Sequence, residues 1–175
     1  MAIGRLGDII NIMKLAPIPE NEKERLLALR RLKILDTKPD KRLDLLTKTA
    51  VKRFDVPIST ISIIDEEREW FKSCQGLPKK EGDRAISFCG HAMLAKNIFI
   101  VEDTLKDERF ADNPYVVGPP YLRFYAGVAI YEHKSGQPIG VFCIKDTEPR
   151  TMSPEDISFL INLAEKAEDI LNGEA

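Results

Sequence analysis

Apolar positions along the chain change period several times, and each change marks an element. In residues 20–34, ENEKERLLALRRLKI, Leu26, Leu29 and Leu32 recur at helical spacing and mark a buried side. Glu20, Glu22 and Glu24 crowd its first turns and Arg30, Arg31 and Lys33 its last, an order that complements the helix dipole. Lys38-Pro39-Asp40 starts a second helix, with the proline expected in its first turn and Leu43, Leu46, Ala50 and Phe54 as its stripe. Upstream, Leu6, Ile9, Ile10 and Met13 share one stripe of a short helix predicted over residues 5–14. Pro17 and Pro19 break it, because proline removes a donor and restricts the residue before it.

The period then shortens. Residues 58–65, ISTISIID, are β-branched with small polar residues between, a strand pattern. A polar turn at Glu66-Glu67-Arg68 leads to a second arm over 69–73, carrying Trp70 and Phe71 on alternate sides. Residues 76–84, GLPKKEGDR, read as a loop. Ser87 is placed to cap a short helix reaching about Lys96, and residues 98–102 form a strand. Residues 103–121 hold turn chemistry at Asn113-Pro114 and Gly118-Pro119-Pro120. Two strands follow, 122–131 and 138–145, joined by Lys134-Ser135-Gly136-Gln137. Ser153-Pro154-Glu155-Asp156 then opens a last helix with Ile157, Leu160, Ala164, Ala167 and Leu171 on one face.

Hairpin-joined strands with helices gathered at the chain ends predict an α+β domain with a mainly antiparallel central sheet. The terminal helices pack on one face of that sheet. The segments of 76–121 cover the other, and a cavity beneath such covering loops is a natural ligand site.

Composition narrows the class without changing the picture. An apolar fraction of 43% with 31% charged residues is ordinary for a globular chain. The net charge of −2 gives no reason to expect nucleic acid or an acidic membrane surface as partner. No run of 18 apolar residues exists to span a membrane, and no cleavage site follows the N-terminal apolar residues. Cys74, Cys89 and Cys143 are widely spaced and odd in number, which fits neither a disulfide framework nor a zinc pattern and predicts a reducing, cytoplasmic setting.

The chemistry concentrates in residues 87–130. Cys89 and His91 stand two apart, so on a helix they diverge, which argues against a thiolate–imidazolium pair. Cys89 reads as a small buried residue or a pocket wall, and His91 as a structural or a pocket hydrogen bond. Arg123 is expected mid-strand, sharing a face with Tyr125 and Gly127 while Phe124, Ala126 and Val128 face the core. Its planar fork suits a carboxylate or phosphate, or else an acid of the preceding loop, Asp103, Asp107 or Asp112. The expected ligand contacts are Arg123, Tyr125, His91, Cys89, Trp70, Phe88 and Tyr115, around a small polar or anionic molecule. No catalytic set and no metal ligands are assigned.

The chain resembles a GAF domain, in the subgroup that precedes histidine kinase or diguanylate cyclase output domains in bacteria. The stretches that carry the resemblance are NEKERLLALRRLKILDTKPDKRLDLLTKTA, VPISTISIIDEEREWFKS, SFCGHAM, DERFADNPYVVGPPYLRFYAGVAI and IGVFCIKDTEPR. The NKFDE set of cyclic-nucleotide-binding members is absent. Cys89-Gly90-His91 is one residue off the Cys-His pair that holds a bilin in phytochrome-type members. The resemblance implies a central antiparallel sheet with helices behind and ligand in front. It implies a small-molecule-sensing module of signal transduction over residues 19–173, preceded by a helical extension over 1–18. It further implies a homodimer through the terminal helices and a signalling output protein as partner. No cofactor is indicated. Two alternatives stay open: a free methionine sulfoxide reductase working through its cysteines, and a ligand-free dimerisation module.

Overall fold

The computed structural model describes residues 13–174. The stripe expected over 5–14 lies, except for Met13 and Lys14, outside the described residues. Helix α1 (Glu22–Leu32) and helix α2 (Lys41–Phe54) come first. Asp40 caps α2 by accepting from the amide of Arg42, so Pro39 precedes the cap rather than entering the first turn. Both helices end on a residue in the left-handed region, Lys33 and Asp55, whose amides turn back onto the last carbonyls.

The strands are β1 (Ile58–Ile64), β2 (Arg68–Gln75), β3 (Glu81–Asp83), β4 (Phe99–Val101), β5 (Phe124–Tyr131) and β6 (Pro138–Asp146). They form one sheet in the order β3-β2-β1-β6-β5-β4, and every neighbouring pair is antiparallel. Strand β1 lies between β2 and β6, and all seven of its residues are buried. A strand covered on both faces needs an almost continuous apolar run, which its isoleucines provide.

The two faces differ in chemistry. On one, Ile61, Ile63, Trp70, Phe124, Ala126, Phe142 and Ile144 meet α1, α2 and helix α5 (Pro154–Leu171). Truncating the fully buried Phe142 to alanine removes about 3–5 kcal/mol from this core. On the other, Ile58, Ile64, Tyr125, Val141 and Cys143 meet Phe88, Cys89 and Met93 at helix α3 (Phe88–Ala92) and Val116 of helix α4 (Pro114–Val117). The helix-and-loop layering expected from the sequence is therefore present.

Helix α5 starts with a full capping box, Ser153 accepting from the amide of Asp156 and Asp156 from that of Ser153. Its far end is fastened to the β5 terminus. The Asn172 side chain donates to Tyr131 O at 2.9 Å and accepts from the amide of His133 at 2.9 Å, while Glu168 accepts from the amide of Tyr131 at 2.9 Å. Under α1, Arg25 is fully buried and forks onto Glu22 at 2.8 and 2.9 Å, and Arg84 reaches the same carboxylate at 2.5 Å. Burial alone would raise the Glu22 pKa, but the two guanidinium groups outweigh it and bring it down to about 2.

Three elements differ from expectation. The loop read over 76–84 contains β3, a three-residue edge strand of Glu81, Gly82 and Asp83 whose composition carries no strand signal. The stretch 103–121 contains α4, nucleated by Asn113 accepting from the amide of Tyr115 with Pro114 in the first position. The helix capped by Ser87 is regular only to Ala92.

Candidate functional site

Period-2 alternation decides which side chains reach the face opposite the helices. Trp70 points to the helix core, so its neighbours Glu69 and Phe71 point the other way. On β6 the same rule sends Phe142 and Ile144 to the helices, and Cys143 and Lys145 across the sheet. Glu69, Phe71 and Lys145 form the sheet side of a cavity of about 200 Å³. Tyr115, Pro119, Pro120 and Leu122 wall it from the α4–β5 segment, and Leu77 and Pro78 from the loop after β2.

Its two charged floor residues are almost wholly removed from water. Glu69 is 3% exposed and Lys145 5% exposed, and they make no ion pair with each other. Glu69 Oε2 has no hydrogen-bond partner among the described residues. Burial, with Cys89 beside it, pushes the Glu69 carboxyl up to about 8 against the pull of Lys145. Lys145 Nζ stands 5.8 Å from the centre of the Phe71 ring and 6.0 Å from that of Tyr125, distances at which aromatic faces attract a cation. Gly82 lies directly across the β2–β3 ladder from Glu69, and a Cβ there would meet Tyr115 Oη at 3.0 Å and Glu69 Oε1 at 3.2 Å. A glycine at that position keeps the carboxylate's end of the cavity open.

Beneath the cavity lies a buried polar network. Tyr125 Oη donates to Cys89 Sγ at 3.1 Å, and Cys89 Sγ donates to Ser62 Oγ at 3.4 Å. Thr60 Oγ1 lies 2.7 Å from Ser62 Oγ and 3.0 Å from Cys143 Sγ, and the two sulfurs are 3.8 Å apart. Burial pushes the Cys89 thiol and the Tyr125 phenol well up. Burial acts the same way on Cys143, but the Cys89 contact, the Lys145 ammonium and Thr60 outweigh it and bring that thiol to about 7.

The seven residues expected around a ligand are dispersed by this geometry. Tyr115 lines the cavity. Tyr125, Cys89 and Phe88 sit in the core under it, with Phe88 stacked on Phe110 at 4.1 Å. Arg123 precedes β5 rather than lying mid-strand, and its guanidinium donates to Val116 O at 3.0 Å and Leu122 O at 2.9 Å. It thereby braces the segment that carries the cavity's outer wall, and no loop aspartate pairs with it. His91 is turned away, its Nε2 3.2 Å from Lys14 O, and burial lowers its pKa. Trp70 is on the helix side of the sheet.

Sequence reasoning missed Glu69, Gly82, Leu122 and Lys145, and of the alternating pair Trp70 and Phe71 it chose the wrong member for the cavity. The signal for Lys145 was present: alternation along IGVFCIKD places it on the same face as Cys143 and Val141, opposite Phe142 and Ile144.

An antiparallel sheet with helices behind, and a cavity between its front face and the covering segments, defines an α+β domain. The sequence profile of the GAF domain family matches residues 38–171, and the chain belongs to that family. A cyclic di-GMP phosphodiesterase of Pseudomonas aeruginosa is 37% identical over 153 residues, covering 87% of this chain and 26% of its own length. The chain thus spans about a quarter of that relative. The GAF domain of an Acinetobacter phosphoenolpyruvate-protein phosphotransferase superposes with a TM-score of 0.64 at 22% identity, over 86% of this chain and 93% of that one. A type II free methionine-R-sulfoxide reductase from Thermoplasma acidophilum reaches 0.62 at 13% identity, over 83% and 96%. At such identities these two establish the shared fold. Among the described residues, no helix is long and apolar enough to cross a membrane.

Proposed function

We propose that this GAF domain is a small-molecule sensor whose ligand occupies the cavity between β2, β6 and the α4–β5 segment. One observation carries the reading: Lys145 and Glu69 are both buried at the cavity, and among the described residues neither makes a salt bridge, Lys145 standing as a cation and Glu69 as a carboxyl that burial keeps largely protonated. Buried charge without a partner is costly, and a ligand that supplies the missing contacts recovers that cost as affinity. The cavity volume of about 200 Å³ suits a metabolite-sized molecule.

The domain's output is control of a signalling protein, as the name of the Pseudomonas relative suggests for a longer chain of this kind. It acts as a homodimer through the helix layer, whose outer surface carries exposed Leu27 and Leu45. It is not itself a thiol enzyme: Cys89 and Cys143 are fully buried, and neither lines the cavity.

A thermal-shift screen against a metabolite library, with hits confirmed by native mass spectrometry, tests this. A ligand present at a hundred times its Kd stabilises the fold by about 2.7 kcal/mol. The expected hit loses its effect when Lys145 is replaced by methionine. A hit indifferent to Lys145→Met, or one protecting amides of the helix layer instead, overturns the placement.

A further inference from the structure

Resting on that placement of the ligand, we infer that the cavity is built for a free α-amino acid with an apolar side chain, its carboxylate on Lys145 and its ammonium on Glu69. The floor presents a cation, Lys145, and a carboxyl group, Glu69, that form no ion pair and lie near enough for the Lys145 charge to pull on the carboxyl proton. Lys145 offers three donors and no acceptor, and its neighbours there are the ring faces of Phe71 and Tyr125. It needs an anionic oxygen. Glu69 offers acceptors: Oε1 lies at the Gly82 end of the cavity, and Oε2 is buried with no hydrogen-bond partner among the described residues. It needs a donor.

A plain carboxylate satisfies Lys145 but can use Glu69 only in its protonated form, as a single donor, and leaves the ionised carboxylate with nothing to accept from. A plain amine satisfies Glu69 and leaves Lys145 without an anion. A molecule with both groups on one carbon answers both, and its net charge of zero leaves the buried site neutral. The remaining wall is apolar and sized for a side chain: Leu77, Pro119, Pro120 and Leu122.

Protons follow from the same arrangement. The titratable groups around Glu69 are Cys89 from α3, Lys145 from β6, Tyr115 from α4, and Glu81, Asp83 and Lys79 at the β3 edge. Burial and the nearby Cys89 hold the carboxyl mostly protonated near neutrality, and an arriving ammonium displaces that proton.

The test is isothermal titration of the chain with apolar L-amino acids, each beside its deamino carboxylate and its decarboxylated amine. For leucine these are 4-methylpentanoate and 3-methylbutylamine. Binding by at least one amino acid, with its two counterparts weaker by about tenfold or more, is expected. Repeating the titration in buffers of different ionisation enthalpy should show proton release that vanishes in Glu69→Gln. Lys145→Met and Glu69→Gln should each weaken binding by about ten- to a hundredfold. Gly82→Ala, which narrows the carboxylate end without removing a charge, should do the same while melting near the parent temperature. Equal binding of carboxylate and amino acid, or binding without proton release, overturns the inference and leaves the cavity as a ligand site of another class. Failure of every amino acid also overturns it, and the metabolite screen then decides separately whether the cavity binds anything.

Discussion

Glu69 and Lys145 belong to strands that never touch, β2 and β6, with β1 between them, yet both side chains end in one cavity. The sheet thus brings together two ionisable groups that the chain keeps far apart, and it shields both from water.

The Glu69 carboxyl carries a pH signature. Its folded pKa is raised from 4.5 to about 8, so between those values the folded state holds the proton more tightly than the unfolded chain does. The associated stability is full below about pH 4.5 and is lost as pH rises through about 8. Thermal melts between pH 5 and pH 9 should show a decline that Glu69→Gln removes. Parallel curves for the two proteins would mean that Glu69 is ionised throughout.

Glu22 gives the opposite sign. Its folded pKa is depressed from 4.5 to about 2, so its contribution is present above 4.5 and is lost as pH falls through about 2. Glu22→Gln strands Arg25, which has no exposed surface, and weakens the hold on Arg84. A loss of about 2–4 kcal/mol in urea unfolding at neutral pH is expected, discounted from a fully buried pair because Glu22 keeps 17% side-chain exposure. A change below 0.5 kcal/mol would show that the triad contributes nothing net.

The cysteines should prove dispensable for ligand binding. Converting Cys74, Cys89 and Cys143 together to alanine removes two buried sulfurs, with a packing cost of about 1–2 kcal/mol each, but takes no atom from the cavity wall. Ligand affinity measured well below the melting temperature should stay within about threefold. Appearance of methionine sulfoxide reduction in the parent and its loss in the variant would instead make the sulfurs reactive groups.

Leu27 on α1 and Leu45 on α2 are 56% and 64% exposed. If they belong to the copy-to-copy face, Leu27→Glu with Leu45→Glu converts a dimer to a monomer in light scattering at micromolar concentration. Secondary structure by circular dichroism should be unaltered. A parent that is already monomeric refutes the assembly.

Long periodic segments were legible because one physical rule decides them. Helices α1, α2 and α5 declared themselves by apolar stripes and caps, and β1, β2, β5 and β6 by alternation. Strand β3 was hidden because its three residues owe their conformation to the β2 edge alone. The site was harder still. Arg123 looked like a ligand clamp because it is a lone cation beside a strand, but the carbonyls it serves, Val116 and Leu122, are exposed to it only by a loop path no local pattern encodes. Lys145 entered the sequence reading only as the last residue of a strand over 138–145, and its burial comes from the neighbouring strands. Sequence alternation gave the face of each side chain. Which of the side chains on that face meet at an opening depends on sheet order.

Helix α5 behaves as a beam fixed at both supports. At one end Asp156 meets Arg53 of α2 at 3.2 Å, and at the other Asn172 and Glu168 are tied to the β5 terminus. A beam held this way cannot spin about its own axis without shearing one support. The β5 end, with three hydrogen bonds, is the firmer of the two supports, because the Arg53–Asp156 pair is partly exposed and screened by water.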